Sequence, residues 1–307
     1  MKIKGFHHLT AISANAPKNH EFYTQVLGLR LVKKTVNQDD TSAYHLFYAD
    51  GLGSAGTDIT FFEWPVAPAQ RGTHSVVRTG LRIKGDAAFA YWTERFKSLN
   101  VKAQTVAEEN GRRVIAFEDG EGQRLALVED ESNDPVHPWE KSVVPPAHQI
   151  RGLGPITLSV ANIQYTDKVL TDVMGMKRNA PFGNTQVYKM AGTGPVAELH
   201  VRVEPDLPQG QQGAGAVHHV AFNIAMADYD AWAARLGEMR VPNSGKVDRF
   251  WFKSLYFREP SGILFELATD GPGFQADEPM DKLGETLSLP PFLEDRRAAI
   301  EAGLKKL

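Results

Sequence analysis

Apolar residues recur along the chain in one rhythm that is written four times. Each pass opens with a strand-like run, continues with apolar residues at helical spacing, and closes with further strand-like runs, the last of them alternating. The first pass, from Phe6 to Trp64, reads GFHHLTAIS, PKNHEFYTQVLG, LRLVKKTV, YHLFYAD and TDITFFEW. Its helical segment sets Phe22, Val26 and Leu27 on one face, and Gly28 ends it. The second runs from Ser75 to Asp130, with DAAFAYWTERFKSLN as helix and QRLALVED as closing strand. The third, Gly152 to Glu204, has its helix around TDKVLTDVMG; the fourth, Gly215 to Asp270, has MADYDAWAARLGEM and the closing strand GILFELATD. ESNDPVHPWEKSVVPPAHQ, rich in proline and polar residues, reads as a linker between the second and third passes. The expected fold is α+β, with four βαβββ modules at residues 1–66, 74–130, 150–205 and 213–270. They form an N-terminal pair within 1–140 and a C-terminal pair within 150–270, followed by a tail, 271–307, with a short charged helix.

Composition narrows the function. Hydrophobic residues make up 42% of the 307 and charged residues 23%, a globular balance. A net charge of -3 and the lack of a basic stripe argue against nucleic acid as a partner. No apolar run approaches a membrane span and no signal peptide is visible, so a cytoplasmic protein is expected. Zero cysteines exclude disulfides, thiolate metal sites and cysteine nucleophiles together.

The chemistry lies where the four passes differ. His8 stands fourteen residues before Phe22, and His219 takes the corresponding place in the fourth pass; the third has Pro155 there, and the second has no histidine in its matching strand, VVRTGLRI. In the closing strand, counting four residues from a glycine gives Thr60, Ala126, Glu198 and Glu266 in the four passes. Glu266 lies between Phe265 and Leu267, where a carboxylate needs an ionic or metal partner. Two histidines and one carboxylate suit iron, manganese or zinc, and form the facial triad of non-haem iron(II) sites. If His8, His219 and Glu266 share one metal, modules one and four must close into one cup and modules two and three into another. Pairing of sequence neighbours would instead complete the site only between subunits. Glu198, with His200 two residues on, reads as a degenerate and empty second site.

The βαβββ units, the strands HHLT and HHVAF, and PSGILFEL resemble the vicinal oxygen chelate superfamily over essentially the whole chain. Within it, the chain is most similar to ring-cleaving hydroquinone dioxygenases of the 2,6-dichlorohydroquinone type. The resemblance implies two curved mixed-sheet cups with helices outside, and metal ligands at His8, His219 and Glu266. It also implies supporting catalytic residues at His7, Thr10, His218, Arg249 and Tyr256. Read as residues alone, each of these five has a plainer alternative. His7 and His218 could face away from the ligands as packed side chains, because side chains alternate along a strand. Thr10 could be an ordinary half-buried strand residue, Arg249 a rim charge paired with Asp248, and Tyr256 core filler.

The expected activity is Fe(II)-dependent (or Mn(II)- or other divalent-metal-dependent) extradiol-type ring cleavage of a hydroquinone or related dihydroxybenzene, with dioxygen as co-substrate. A homo-oligomer is left open. The competing reading is a glyoxalase-like isomerase or an epoxide-opening thiol transferase, against which Thr60 counts, because it stands where a fourth, carboxylate ligand would be needed.

Overall fold

Each module folds as a strand, a helix and three strands. Module one comprises β1 (Ile3–Ser13), α1 (Ala16–Glu21), β2 (Arg30–Val36), β3 (Tyr44–Ala49) and β4 (Asp58–Glu63). Module two comprises β5 (Ser75–Ile83), α2 (Gly85–Ser98), β6 (Ala107–Glu109), β7 (Arg112–Glu118) and β8 (Arg124–Glu129). Module three comprises β9 (Leu153–Val160), α3 (Ile163–Lys168), β10 (Lys177–Phe182), β11 (Thr185–Lys189) and β12 (Glu198–Val203). Module four comprises β13 (Val217–Ile224), α4 (Tyr229–Glu238), β14 (Val247–Asp248), β15 (Lys253–Arg258) and β16 (Leu264–Thr269), and the tail ends in α5 (Arg297–Gly303). The computed structural model describes all residues from 1 to 307. No helix in it is long and apolar enough to cross a membrane.

The strands form two curled, mixed, eight-stranded sheets. One runs β14-β15-β16-β13-β1-β4-β3-β2 and joins modules four and one; the other runs β10-β11-β12-β9-β5-β8-β7-β6 and joins modules three and two. Each sheet is closed at its centre by an antiparallel pair of module-opening strands, β1 with β13 and β5 with β9. The chain therefore builds half of the first cup, all of the second, and then returns to complete the first. That return brings His8 and His219 together across 211 residues of chain.

On the convex faces, alternate strand residues pack against the helices. Phe96 of α2 stacks 4.6 Å from Phe117 of β7, and Trp92, Phe89 and Ala88 fill the same face. In modules one and three the helix widens into a π turn, Phe22–Val26 and Val169–Val173. The extra residue per turn rotates the apolar face. Tyr23 becomes fully buried with its ring 4.5 Å from Phe61, whereas Phe22 and Val26 are only half-buried. Phe22, Val26 and Leu27 still pack against the core, and Tyr23 joins them there. Gly28 does end the segment: its φ is +70°, and a Cβ there would lie 2.6 Å from atoms of Ser142 and Val144. Arg95 of α2 donates to the carbonyls of Val26 and Gln25, and Arg235 of α4 donates to that of Val173, so neighbouring helices satisfy the open ends of the π turns.

The tail straps the first cup. Lys33 of β2 is fully buried and pairs with Asp277 at 2.8 Å and with Glu278. Asp277 also accepts from the indole of Trp251 at 2.9 Å, which ties the tail to a wall of the cavity described next.

Candidate metal centre and active site

Two β-bulges shape the floor of the first cup. Along β1, Phe6 faces Phe222 and His8 faces Ala221, so His7 is one residue too many; along β13, Thr10 faces His219 and Ala11 faces Val217, so His218 is. A bulge lets consecutive side chains leave the strand on nearly the same side. His7 Nδ1 accordingly lies 2.9 Å from His8 Nδ1, and His218 Nδ1 lies 2.8 Å from His219 Nδ1. The alternation that would have turned His7 and His218 away does not hold here, and each first histidine buttresses the second.

His8, His219 and Glu266 meet at the centre of this floor, all three buried, with their ligand atoms within 4.8 Å of one another. His8 Nε2 lies 3.2 Å and His219 Nε2 3.0 Å from Glu266 Oε2, and the two Nε2 atoms are 3.3 Å apart. The other carboxylate oxygen, Oε1, accepts from the Ser254 hydroxyl. Burial alone would raise the Glu266 carboxyl, but His8 and His219 more than offset it, so the group stays ionised well below the usual carboxylate range.

The tautomers follow from the partners. Burial, reinforced by His8, lowers His7 to about 4, so it is neutral near pH 7. Its Nε2 lies 3.1 Å from the Thr269 carbonyl, which can only accept, so Nε2 carries the proton and Nδ1 must accept from His8. With Nδ1 turned to His7, His8 directs its Nε2 at Glu266 Oε2, 3.2 Å away. Two imidazole nitrogens that converge on one carboxylate oxygen, at 3.2 and 3.0 Å, make an arrangement that a shared cation would satisfy. Glu266 Oε2, buried and without a hydrogen-bond donor, is the orphan atom such a cation would satisfy. The residues present therefore fit a divalent metal, with the donor set expected for one.

Around this floor lies a cavity of about 370 Å³, walled by Phe47, Phe62, Trp64, Trp251 and Phe252. Trp251 and Phe252 are presented by a tight turn in which Phe250 adopts φ +73°, held by its N–H donating to Asp248 at 2.8 Å. Asp248 thus braces the turn and does not pair with Arg249. Arg249 pairs instead with Asp39 of module one, at 2.8 Å, and its Nε reaches the Tyr256 hydroxyl at 3.3 Å. Burial, then Glu266, raises the Tyr256 phenol, which stays protonated. The largest cavity, about 880 Å³, lies elsewhere, between linker and tail, and contains none of these groups.

The model of the Glyoxalase/Bleomycin resistance protein/Dioxygenase superfamily matches residues 5–127 and 152–267. The chain belongs to this superfamily. Among curated relatives, "Putative ring-cleaving dioxygenase MhqA" of Bacillus subtilis (strain 168) is 47% identical over the full length of both chains. "Chlorohydroquinone/hydroquinone 1,2-dioxygenase" of Sphingobium indicum is 30% identical over 95% of this chain and 93% of its own. The crystal structure of a B. subtilis protein described as a "putative dioxygenase" superposes with a TM-score of 0.94 at 36% identity, covering 100% of this chain and 98% of that one. Glyoxalase I from Zea mays shares the fold, with a TM-score of 0.63 at 16% identity over 87% of this chain and 92% of its own.

In this member of the glyoxalase superfamily the first cup is pseudo-symmetric down to its side chains. Register sets Thr60 opposite Thr10 and Glu266 opposite Ala221, so Thr60 occupies the place of Glu266. The same register equates His45 of β3 with Ser254 of β15, and Phe47 with Tyr256. The polar pairs correspond as well: Ser254 donates to Glu266, and His45 Nε2 lies 3.0 Å from Thr60 Oγ1. Thr60 continues to Thr10 at 2.8 Å and Thr10 to His219 Nε2 at 2.9 Å. His45, Ser254 and Asp39 escaped the sequence reading. His45 had a usable signal, because in YHLFYA it shares a strand face with Phe47.

The second cup needs a correction. Register places His200, not Glu198, opposite Thr157 and hence in the slot of Thr60, because the 3-10 turn Pro195–Ala197 lengthens the approach to the strand. Glu198 is held by Arg112 through two hydrogen bonds of 2.7 and 2.9 Å, and His200 Nε2 lies 3.5 Å away. It is the carboxylate of an ion pair.

Proposed function

We propose that this chain is a ring-cleaving dioxygenase that holds iron(II) on His8, His219 and Glu266 and opens a hydroquinone or related dihydroxybenzene. The observation that carries the reading is the convergence of His8 Nε2 and His219 Nε2 on the orphaned Glu266 Oε2 at the floor of a cavity lined with aromatic side chains. The names of the full-length relatives support the class of reaction.

Bound there, iron(II) supplies a Lewis acid that acidifies a phenolic hydroxyl and a redox centre for dioxygen. The chain's own residues prepare that chemistry. His7 fixes the tautomer of His8, and His218 buttresses His219. Phe62, Trp251 and Phe252 offer flat apolar walls to a ring and exclude water from its faces. Tyr256 keeps its proton and is placed beside Glu266 to donate to charge developing on a substrate oxygen. Arg249, braced by Asp39, faces the same cavity and can orient the ring's distal hydroxyl.

The isomerase reading draws no support from the geometry, since Thr60, committed to Thr10 and His45, stands where a second carboxylate would be needed. The test is anaerobic reconstitution with Fe(II), Mn(II) or Zn(II), followed by oxygen uptake with a panel of hydroquinones and catechols. The iron form should consume dioxygen with a hydroquinone and yield a ring-opened acid. No uptake with any dihydroxybenzene would sink the proposal while leaving the metal site standing.

A further inference from the structure

The concave face of the second cup carries its own array of charge. Arg78 of β5, Arg124 of β8 and Arg202 of β12 all line one cavity of about 470 Å³. Arg78 is matched by Glu109, with two hydrogen bonds of 2.9 and 2.6 Å. Lys102 and Arg71, at the rim, share Glu118, each at 2.8 Å. Arg124 and Arg202 are different. Both are half-buried, and neither makes an ion pair or donates a side-chain hydrogen bond. Burial, followed by the nearby charges of Arg71 and Arg202, pulls the Arg124 guanidinium down, and outweighs the opposite pull of Glu204 and Glu118.

Arg124 and Arg202 thus face a cavity whose two carboxylates, Glu109 and Glu118, are already engaged by Arg78, Arg71 and Lys102. The rest of the wall includes Val77, Ala116 and Leu125, so the space next to the two guanidiniums is partly apolar.

The geometry points to a binding site for a small organic carboxylate in the second cup, gripped by Arg124 and Arg202, with the Arg78–Glu109 pair closing one side. The planar guanidinium fork matches a carboxylate, and a hydrocarbon skeleton would cover the apolar wall. Inorganic phosphate would satisfy the charge but leave most of a 470 Å³ cavity to water. Ring opening produces compounds of the carboxylate class, a link that rests on the function proposed above; the site itself does not depend on it.

Titration calorimetry of the full chain with sodium maleate, and with phosphate at matched ionic strength, tests the site without any assay of turnover. Wild-type protein should bind maleate saturably and phosphate more weakly. The Arg124→Gln/Arg202→Gln double variant should bind maleate weaker by about tenfold or more. Should that variant fail to fold, Arg202→Lys keeps the charge, loses the fork, and should still weaken binding. His219→Ala should leave maleate binding intact, because it lies in the other cup. The inference is overturned if wild type shows no saturable maleate binding or if binding survives unchanged in the arginine variants. It is equally overturned if binding disappears in His219→Ala, or if phosphate binds as tightly as maleate.

Discussion

The two cups share a frame and differ in what stands on it. Both are closed by an antiparallel pair of opening strands, and both carry a bulge on each of those strands. In the second cup, Val76 and Arg78 face Leu158 and Thr157, and Thr79 and Leu81 face Ile156 and Leu153, which repeats the irregularities around His7 and His218. By register, Pro155 and Arg78 take the places of His8 and His219, and His200 and Ala126 those of Thr60 and Glu266. Even the space is used differently. A Cβ on Gly80, the counterpart of Ala221, would lie 2.7 Å from the Pro155 carbonyl, so the centre of the second floor is shut by backbone. The bulged sheet is thus a scaffold, and a candidate metal site arises only where it carries two imidazoles converging on a carboxylate.

The largest expected effect breaks the first cup alone. Glu266→Ala removes the anion on which both histidines converge, and metal affinity should fall by more than ~100-fold, with loss of any oxygen uptake. Metal content after dialysis checks this. Glu198→Ala, which removes the second cup's own buried carboxylate, should alter neither. Equal metal content in the two variants would dissolve the distinction between the cups.

Next comes a polar group of the first floor that pseudo-symmetry does not duplicate. Tyr256 corresponds to Phe47, so Tyr256→Phe makes the two halves of the cup alike at that position. Metal should be retained, and turnover should drop by ~10 to 1000-fold if the phenol donates to developing charge. Unchanged turnover on iron-loaded protein would reduce Tyr256 to a packing residue. A smaller effect is expected from His7→Leu, which removes the acceptor that fixes the His8 tautomer. Metal affinity should fall by ~10 to 100-fold, read by competition with a chelator.

Much of this was legible in the chain before any coordinates. The four passes, the crossing of modules one and four, and the convergence of His8, His219 and Glu266 follow from periodicity and from where the repeats differ. Main-chain irregularities were not legible, because they leave no side-chain signature. A bulge reverses the facing of His7 and His218 without changing a letter. The π turns move Tyr23 into the core by the same kind of insertion, and the turn at Pro195 shifts Glu198 out of the slot that counting from Gly194 assigns it. Long-range partners were hidden too. Asp39 and Arg249 meet across 210 residues, and Lys33 finds Asp277 across 244.

The smallest predicted effect concerns the second cup's own carboxylate and is one of stability. Burial would raise Glu198, but contact with His200 and the paired hydrogen bonds from Arg112 outweigh it and hold the group at about 2, against an ordinary 4.5. A carboxyl whose pKa is depressed in the folded state stabilises the fold fully above its unfolded value. That contribution is lost as pH falls through the folded value, so the window runs from about 4.5 down to about 2. The side chain is buried, and a shift of this size corresponds to roughly 3 kcal/mol at neutral pH. Glu198→Gln should therefore lower the thermal midpoint at pH 7 by a few degrees. It should also flatten the fall in stability between pH 4.5 and 2, because the amide has no proton to take up. Metal content and oxygen uptake should stay at wild-type levels. An unchanged acid slope in the variant would mean that the Arg112–Glu198 pair contributes no net stability to the second cup.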